Sequence, residues 1–269
     1  MKEMVHTRGF RQVDQVTDAQ YYFQFLDEFG AFESVQECRR LMLQLMDIRA
    51  GYRLLDVGCG VGDDVREMAQ LAGETGQAVG LDNSQVMIAE ARKRSEGLVL
   101  PVEFIVGDAE NLNFPSDSFD GCLSERTFMY LDARRALEEM IRVTKPGGSL
   151  VVFALDLDAI SIDSSRRELT RKIVQFHCDN HRNGLVGRQL ARLFKEQRLT
   201  NLTLKPHSLM CSFSIFKHLY SRLLITAEEA SVITKTEGEE WFNEMAEAER
   251  RGVFLFVEPG YIVGGRKPS

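Results

Sequence analysis

Residues 54–64 read LLDVGCGVGDD, and this stretch decides the fold. Its first four residues are a short apolar run around Asp56, consistent with a buried strand. Gly58, Gly60 and Gly62 follow at alternate positions, and a helical pattern starts directly after them. Glycine is required where a backbone turns tightly and a ligand comes closer than a Cβ would permit. A plain β–α turn needs only one, so three point to a ligand cradle. Charge narrows the ligand. A dinucleotide fingerprint, G-x-G-x-x-G, would carry its third glycine at position 63, where this chain has Asp63 followed by Asp64. Two carboxylates there repel a pyrophosphate by ~1 kcal/mol or more per close pair, and are expected to satisfy the helix N-terminus themselves. No GK(S/T) follows, which excludes a phosphate-binding P-loop. The loop suits a ligand that lacks phosphates and carries positive charge.

Outward from the loop, strands and helices alternate. Residues 64–71 read as a helix with Val65, Met68, Ala69 and Ala72 on one face, 77–82 as a strand and 84–94 as a helix. Residues 102–108 and 118–125 read as strands. Asp132 caps a helix with Ala133, Ala136, Leu137, Met140 and Ile141 on one side. KPGG (145–148) stops it, and SLVVFAL (149–155) is the next strand. Upstream, Cys38, Leu41, Met42 and Leu45 mark a helix that Gly51 is expected to end. Such alternation implies βαβ units and an α/β fold, doubly wound about a mainly parallel seven-stranded sheet. Its working loops gather at the carboxyl ends of the strands.

The last third is less regular. Residues 164–183 read as helical, 187–197 as an amphipathic helix, and a strand is expected within 199–211. Thr226 and Glu229 have capping-box spacing for a new helix, a helix carrying Trp241, Phe242 and Met245 follows, and YIVGG (261–265) is a closing strand. The expected organisation is an N-terminal helical cap over 1–35 and a domain over 36–269. A helical insertion at about 214–251, before the last strand, is expected to act as a lid.

LLDVGCGVGD resembles the first motif of class I S-adenosylmethionine-dependent methyltransferases, in the branch that includes ubiquinone- and menaquinone-biosynthesis enzymes and many natural-product methyltransferases. S-adenosylmethionine meets the charge requirement, with a sulfonium and an ammonium against one carboxylate. The resemblance implies that Asp56, Gly58, Gly60 and Gly62 form the cofactor loop. Asp82, 24 residues beyond Gly58, would take the ribose hydroxyls, with Asn83 beside it. Met87 would pack on the adenine, although an ordinary core position reads the same way. Gly107, Asp108 and Ala109 would receive the adenine amino group. NLNFPSDSFD (111–120) and KPGG also resemble family segments, so the likeness covers roughly residues 50–155. At the fourth strand's end, Ser124-Glu125-Arg126-Thr127 stands where enzymes methylating nucleic-acid bases or glutamine carry (D/N)PP(Y/F), which counts against those acceptors. Glu125 and Arg126 would lie beside the methionine end, Arg126 pairing with the cofactor carboxylate or within the protein. Tyr22, with Tyr21 and Phe23, comes from a helix folding over the cofactor or from ordinary packing.

Methyl transfer needs a nucleophile held in line with the methyl and, for a weakly acidic acceptor, a general base. His177 and His181, four apart, share a helix face; base or acceptor ligand is one reading, and a solvated or hydrogen-bonded helix face is the one that spacing alone favours. Their spacing also suits a metal, but neither HExxH nor a third ligand accompanies it. Tyr130, and Asp156 with Asp158, stand at strand ends where an acceptor would sit. Arg188 and Arg192 read as a solvated helix edge. With 269 residues, 44% hydrophobic, 27% charged and a net charge of −7, the chain reads as an ordinary globular protein. Its acidity opposes a nucleic-acid partner. Cys38, Cys59, Cys122, Cys178 and Cys211 are single and odd in number, as reduced cytoplasmic thiols are. MKEMVHTRGFRQ lacks the apolar core of a signal peptide, and no apolar run reaches the ~20 residues of a membrane span. A cytoplasmic enzyme acting on a small organic acceptor through O, N or C is expected. An oligomer is compatible with the sequence, which carries no signal for or against one. The alternatives are a catalytically silent cofactor-binding protein, a cyclase or isomerase on the same fold, and an NAD-linked oxidoreductase, which Asp63 opposes.

Overall fold

The computed structural model describes residues 10, 13–15 and 19–269. Most of MKEMVHTRGFRQ, on which the reading of the N-terminus rests, lies outside the described residues, as does part of the expected 1–35 cap.

Among the described residues, two α-helices, α1 (Gln20–Gly30) and α2 (Glu33–Met46), precede the first strand. β1 (Arg53–Val57), α3 (Asp63–Ala72), β2 (Gln77–Asp82), α4 (Gln85–Ser95) and β3 (Val102–Val106) follow in strict alternation. β4 (Phe119–Glu125), α5 (Ala133–Val143) and β5 (Thr144–Leu155) complete the parallel half. The two-residue β6 (Ser161–Ile162), α6 (Arg167–Asp179), α7 (Val186–Glu196) and β7 (Thr200–Met210) lead to α8 (Phe213–Glu229), α9 (Lys235–Arg250) and β8 (Phe256–Arg266). β2 and β4 flank β1, β3 flanks β2 and β5 flanks β4, all parallel. β8 pairs antiparallel with β5, and β7 lies along its other edge. That makes the expected seven strands, to which β6 adds a short eighth against the start of β8.

The central strands are buried on both faces, which is why they read as continuous apolar runs rather than alternating ones. Successive residues of a strand point to opposite faces, and β8 shows what covers each. A Cβ at Gly264 would meet Leu45 of α2, and one at Gly265 would meet Phe194 of α7. The sheet is therefore sandwiched, as the doubly wound reading requires.

Several local expectations are corrected. α2 ends at Asp47 in the left-handed conformation (φ +50°), not at Gly51. KPGG is a bulged start of β5, its register shifting between Phe119 and Gly121. Thr226 opens no helix: it lies inside α8, its hydroxyl donating to the Leu223 carbonyl (2.9 Å), because the apolar face of Leu223, Leu224 and Ala227 runs on through it. The capping box is at Thr234 and Glu237, opening α9. Asp132 does cap α5, accepting from the Arg135 amide. Among the described residues, no helix is long and apolar enough to cross a membrane. All five cysteines are buried and free.

Candidate active site

The carboxyl ends of β1 to β5 open into a cavity of about 540 Å³, at the switch point where the chain proceeds to opposite sides of β1. The loop leaving β1 has Gly58, Gly60 and Gly62 at φ +83°, +51° and +82°. Close packing adds to the conformational need. A Cβ at Gly58 would sit 2.2 Å from Thr127 Oγ1, and one at Gly62 would sit 2.5 Å from the Phe104 ring. The loop is laced to β2: the Gly58 and Cys59 amides donate to the Leu81 carbonyl, and the Gly60 amide donates to Asp82 Oδ2 (3.0 Å). Those amides are therefore spent within the protein, whereas a pyrophosphate loop aims them at its ligand. This is a stronger reason for a phosphate-free ligand than the acidic pair downstream. Asp63 and Asp64 do not cap α3 by side-chain hydrogen bonds, contrary to expectation; Asp63 pairs with Arg66 and Asp64 with Arg39.

At the end of β2, Asp82 also accepts from the Ser84 amide (2.9 Å), and burial raises its pKa. Asn83 and Met87 line the cavity beside it. Met87 is at once wall and core, since it is buried in a small apolar cluster with Val13, Tyr22, Phe23 and Val61. Asp14 reaches across to this corner and accepts from the Gln85 and Val86 amides (2.9 and 3.1 Å) and from the Ser84 hydroxyl, so α4 is capped from 70 residues away. Gly107, Asp108 and Ala109 form the wall at the end of β3.

A buried charged cluster lies where β4 ends. Arg126, left-handed at φ +54°, donates through Nε to Glu125 Oε1 (2.8 Å), and its guanidinium lies 4.4 Å from the Phe29 ring centroid. Of its two possible partners, the one within the protein is thus formed. Arg39 of α2, which the sequence reading missed, pairs with Asp64. Burial and then Glu125 push the Asp64 carboxyl up to about 8, against the pull of Arg39. Burial opposes ionisation of Glu125 too, but Arg126 and Arg39 hold it below the usual carboxylate range. Asp64 therefore carries the proton of the pair. Asp56 does not line the cavity; it lies beneath the loop, 2% exposed, its pKa raised well above the ordinary value by burial and by Asp64, Glu125 and Asp82. Gly62 likewise is packing rather than wall.

At the far end the structure brings together Tyr130, His177 and His181. The His181 ring is 5.4 Å from Tyr130 and 5.0 Å from His177, and its Nδ1 lies 2.9 Å from the His177 carbonyl oxygen. The helix α6 ends at Asp179, so His181 stands just past it. Only the solvated half of the helix-face reading is corrected: α8 packs over this face, with Tyr220 stacked on His177, leaving His177 2% exposed and His181 half-buried. Burial depresses both, His181 to about 4, so the imidazoles are neutral near pH 7. Tyr22, its pKa pushed up to about 12 by burial, closes the cavity from α1, and Tyr21 meets His218 of α8 at 4.8 Å. α9 packs behind α8, its Trp241 donating to Thr170 Oγ1 (2.9 Å). Asp156 and Asp158 face away from the cavity and hold Arg188 (2.6 and 3.1 Å), so Arg188 is an ion-pair partner while Arg192 remains an exposed edge.

The sequence reading also missed Glu258, a buried carboxylate on the cavity wall. Its signal was present: Phe256, Glu258, Gly260 and Ile262 alternate as the buried face of β8. Among the described residues, no group of three or more His, Cys, Asp or Glu could hold a metal ion.

Residues 55–152 match the family described as "Methyltransferase domain". The chain is 36% identical over 171 residues to an uncharacterized 37.1 kDa protein of a Streptomyces fradiae transposon, covering 63% of this chain and 49% of that one. It is 38% identical over 120 residues to a ubiquinone/menaquinone biosynthesis C-methyltransferase of Pseudomonas putida, covering 42% and 46%. The chain thus spans about half the length of the curated relatives it matches. In fold it is similar to phosphoethanolamine N-methyltransferase 2 of Haemonchus contortus, solved with S-adenosyl-L-methionine: TM-score 0.62, 19% identity, 100% of this chain and 61% of that one.

Proposed function

We propose, starting from a chain that carries a class I S-adenosylmethionine-dependent methyltransferase domain, that it transfers the methyl group of S-adenosylmethionine to a small organic acceptor. The observation that carries this is the continuity of the cavity, from the glycine loop and Asp82 to Tyr130, His177 and His181. Its volume lies in the range of small-molecule sites. The residues fit the donor. The loop leaves room at Gly60, where the nearest heavy atom to an added Cβ is 3.7 Å away. Asp82, held by two backbone amides, retains lone pairs for ribose hydroxyls. Asp108 and Ala109 face the base, and Met87 offers it a polarizable wall. Glu125 and Arg126 present a carboxylate and a guanidinium to the amino-acid end, a match for a zwitterion.

Bound S-adenosylmethionine supplies an electrophilic methyl carbon on a positively charged sulfur. The protein's part is to orient an acceptor and exclude water. Tyr21, Tyr22 and Phe25 of α1 and His218 and Leu219 of α8 cover the acceptor end, which supports the N-terminal cap and the late insertion as a joint lid. The rings of His177 and His181 are neutral near pH 7, which keeps positive charge off that end.

Calorimetric titration tests the reading first. Binding of S-adenosylmethionine and S-adenosylhomocysteine is expected, with NAD ignored; deuteromethyl transfer to a panel of phenols, quinols and amines is then read by mass spectrometry. Protein that ignores both sulfur nucleosides at millimolar levels yet takes up NAD would refute it.

A further inference from the structure

Glu258 is the carboxylate that the arrangement above leaves without a task. It is 3% exposed and lines the acceptor end of the cavity. Its Oε2 accepts from Cys211 Sγ at 3.8 Å, and among the described residues no arginine, lysine or histidine forms an ion pair with it. The groups coupled to its charge come from three segments: Arg126 and Tyr130 after β4, Cys211 after β7 and Tyr220 on α8. Arg126 is already committed to Glu125. A buried carboxylate at a cavity wall that is met by one weak thiol donor keeps acceptor capacity for a donor that enters the cavity.

We infer that Glu258 is the general base of the acceptor site, taking the proton of a neutral, largely apolar acceptor that carries an acidic hydroxyl, a phenol or an enol. The inference rests on the methyl-transfer reading above. The wall at this end is Tyr22, Phe25, Met129, Tyr130 and Leu219, with neutral imidazoles between them. The guanidinium groups of the lining are each engaged within the protein, Arg39 by Asp64 and Glu67, Arg126 by Glu125 and Arg182 by Glu110, so none is left for a phosphate or carboxylate on the acceptor. Between Glu258 and the imidazoles, burial chooses the base. A proton on Glu258 removes a buried charge, whereas a proton on His177 or His181 creates one. Burial accordingly lifts Glu258 to about 7, against the pull of Arg126, which matches it to hydroxyls near neutrality. In the step, the acceptor O–H bond breaks and its proton passes to a Glu258 oxygen. An oxygen lone pair forms the new bond to the methyl carbon while the S–C bond breaks, its electrons remaining on sulfur as a neutral thioether.

The fluorophore 2-naphthol tests this without knowledge of the acceptor, because on excitation it yields its proton to a base in contact and then emits in the longer-wavelength naphtholate band. Bound to wild-type protein saturated with S-adenosylhomocysteine, it is expected to emit as naphtholate at about pH 8 and as neutral naphthol at about pH 5.5, where Glu258 is protonated. Glu258→Gln is expected to emit as neutral naphthol at both. Wild-type emission that shows no naphtholate band at the higher pH, or a naphtholate band retained in Glu258→Gln, would overturn the inference, as would failure of 2-naphthol to bind at all. Should Glu258→Gln not fold, the wild-type pH switch decides alone. Calorimetry with S-adenosylhomocysteine on the wild type separates the two levels: a protein that binds it but fails the naphthol test loses only this inference.

Discussion

Replacing Gly58 by alanine should separate the two demands made on the glycine loop. At φ +83° a side chain costs ~1–2 kcal/mol in backbone strain alone. The added Cβ would also lie 2.2, 2.5 and 2.8 Å from Oγ1, Cγ2 and Cβ of Thr127. Thr127 cannot easily retreat, because its hydroxyl donates to the Glu125 carbonyl (3.0 Å) and it follows Arg126 in a left-handed turn. Overpacking of this kind costs ~1–3 kcal/mol. The sum is about 3 kcal/mol, or roughly 6–12 °C in Tm for a chain of this size. Gly97→Ala is the control: its φ is +77°, but nothing lies within 4 Å of the added Cβ, so only the ~1–2 kcal/mol of strain applies. Urea denaturation of both variants, with S-adenosylhomocysteine titrations alongside, reads the difference. Gly58→Ala should also lose most of its nucleoside affinity, because displacing Thr127 moves the turn beside Glu125 and Arg126. If Gly58→Ala proved no less stable than Gly97→Ala, the claim that the loop is packed against Thr127 would be wrong.

Three further outcomes are expected. Asp82→Asn leaves one of the Gly60 and Ser84 amides facing an amide nitrogen, costing ~1–3 kcal/mol by chemical denaturation, and should weaken S-adenosylhomocysteine binding at least tenfold; unchanged binding would remove Asp82 from the site. His181 has a folded-state pKa of about 4 against 6.5 unfolded, so the unfolded chain binds the extra proton and stability should fall as pH drops from 6.5 towards 4, by up to about 3 kcal/mol. His181→Asn should lose that acid limb, and an identical pH profile would contradict its burial as a neutral ring. Asp64 has the opposite sign: its pKa is raised to about 8, so its stabilising contribution is full below its unfolded pKa and lost as pH rises towards 8. Asp64→Asn cannot ionise and should flatten the alkaline decline in stability.

What could be read along the chain was whatever neighbours in sequence decide. The glycine cradle, the acidic ends of β2 and β3 and the apolar runs of the central strands are local patterns, and each stands where its spacing puts it. Helix ends were less legible because competing local signals look alike: Thr226 and Thr234 share the same capping spacing, and only packing of the α8 face selects between them. Charge was the least legible property. Asp63 and Asp64 read as one anionic pair, yet the fold sends one to Arg66 and buries the other against Arg39, 25 residues upstream. His177 and His181 read as a solvated or hydrogen-bonded face, and the choice is made when α8 is laid over them; Glu258 becomes a base only because β8 carries it under the same helix layer. A carboxylate or imidazole has no fixed character in one dimension; its protonation state follows from which elements remove its water and which partners they bring, and those are choices of the tertiary structure.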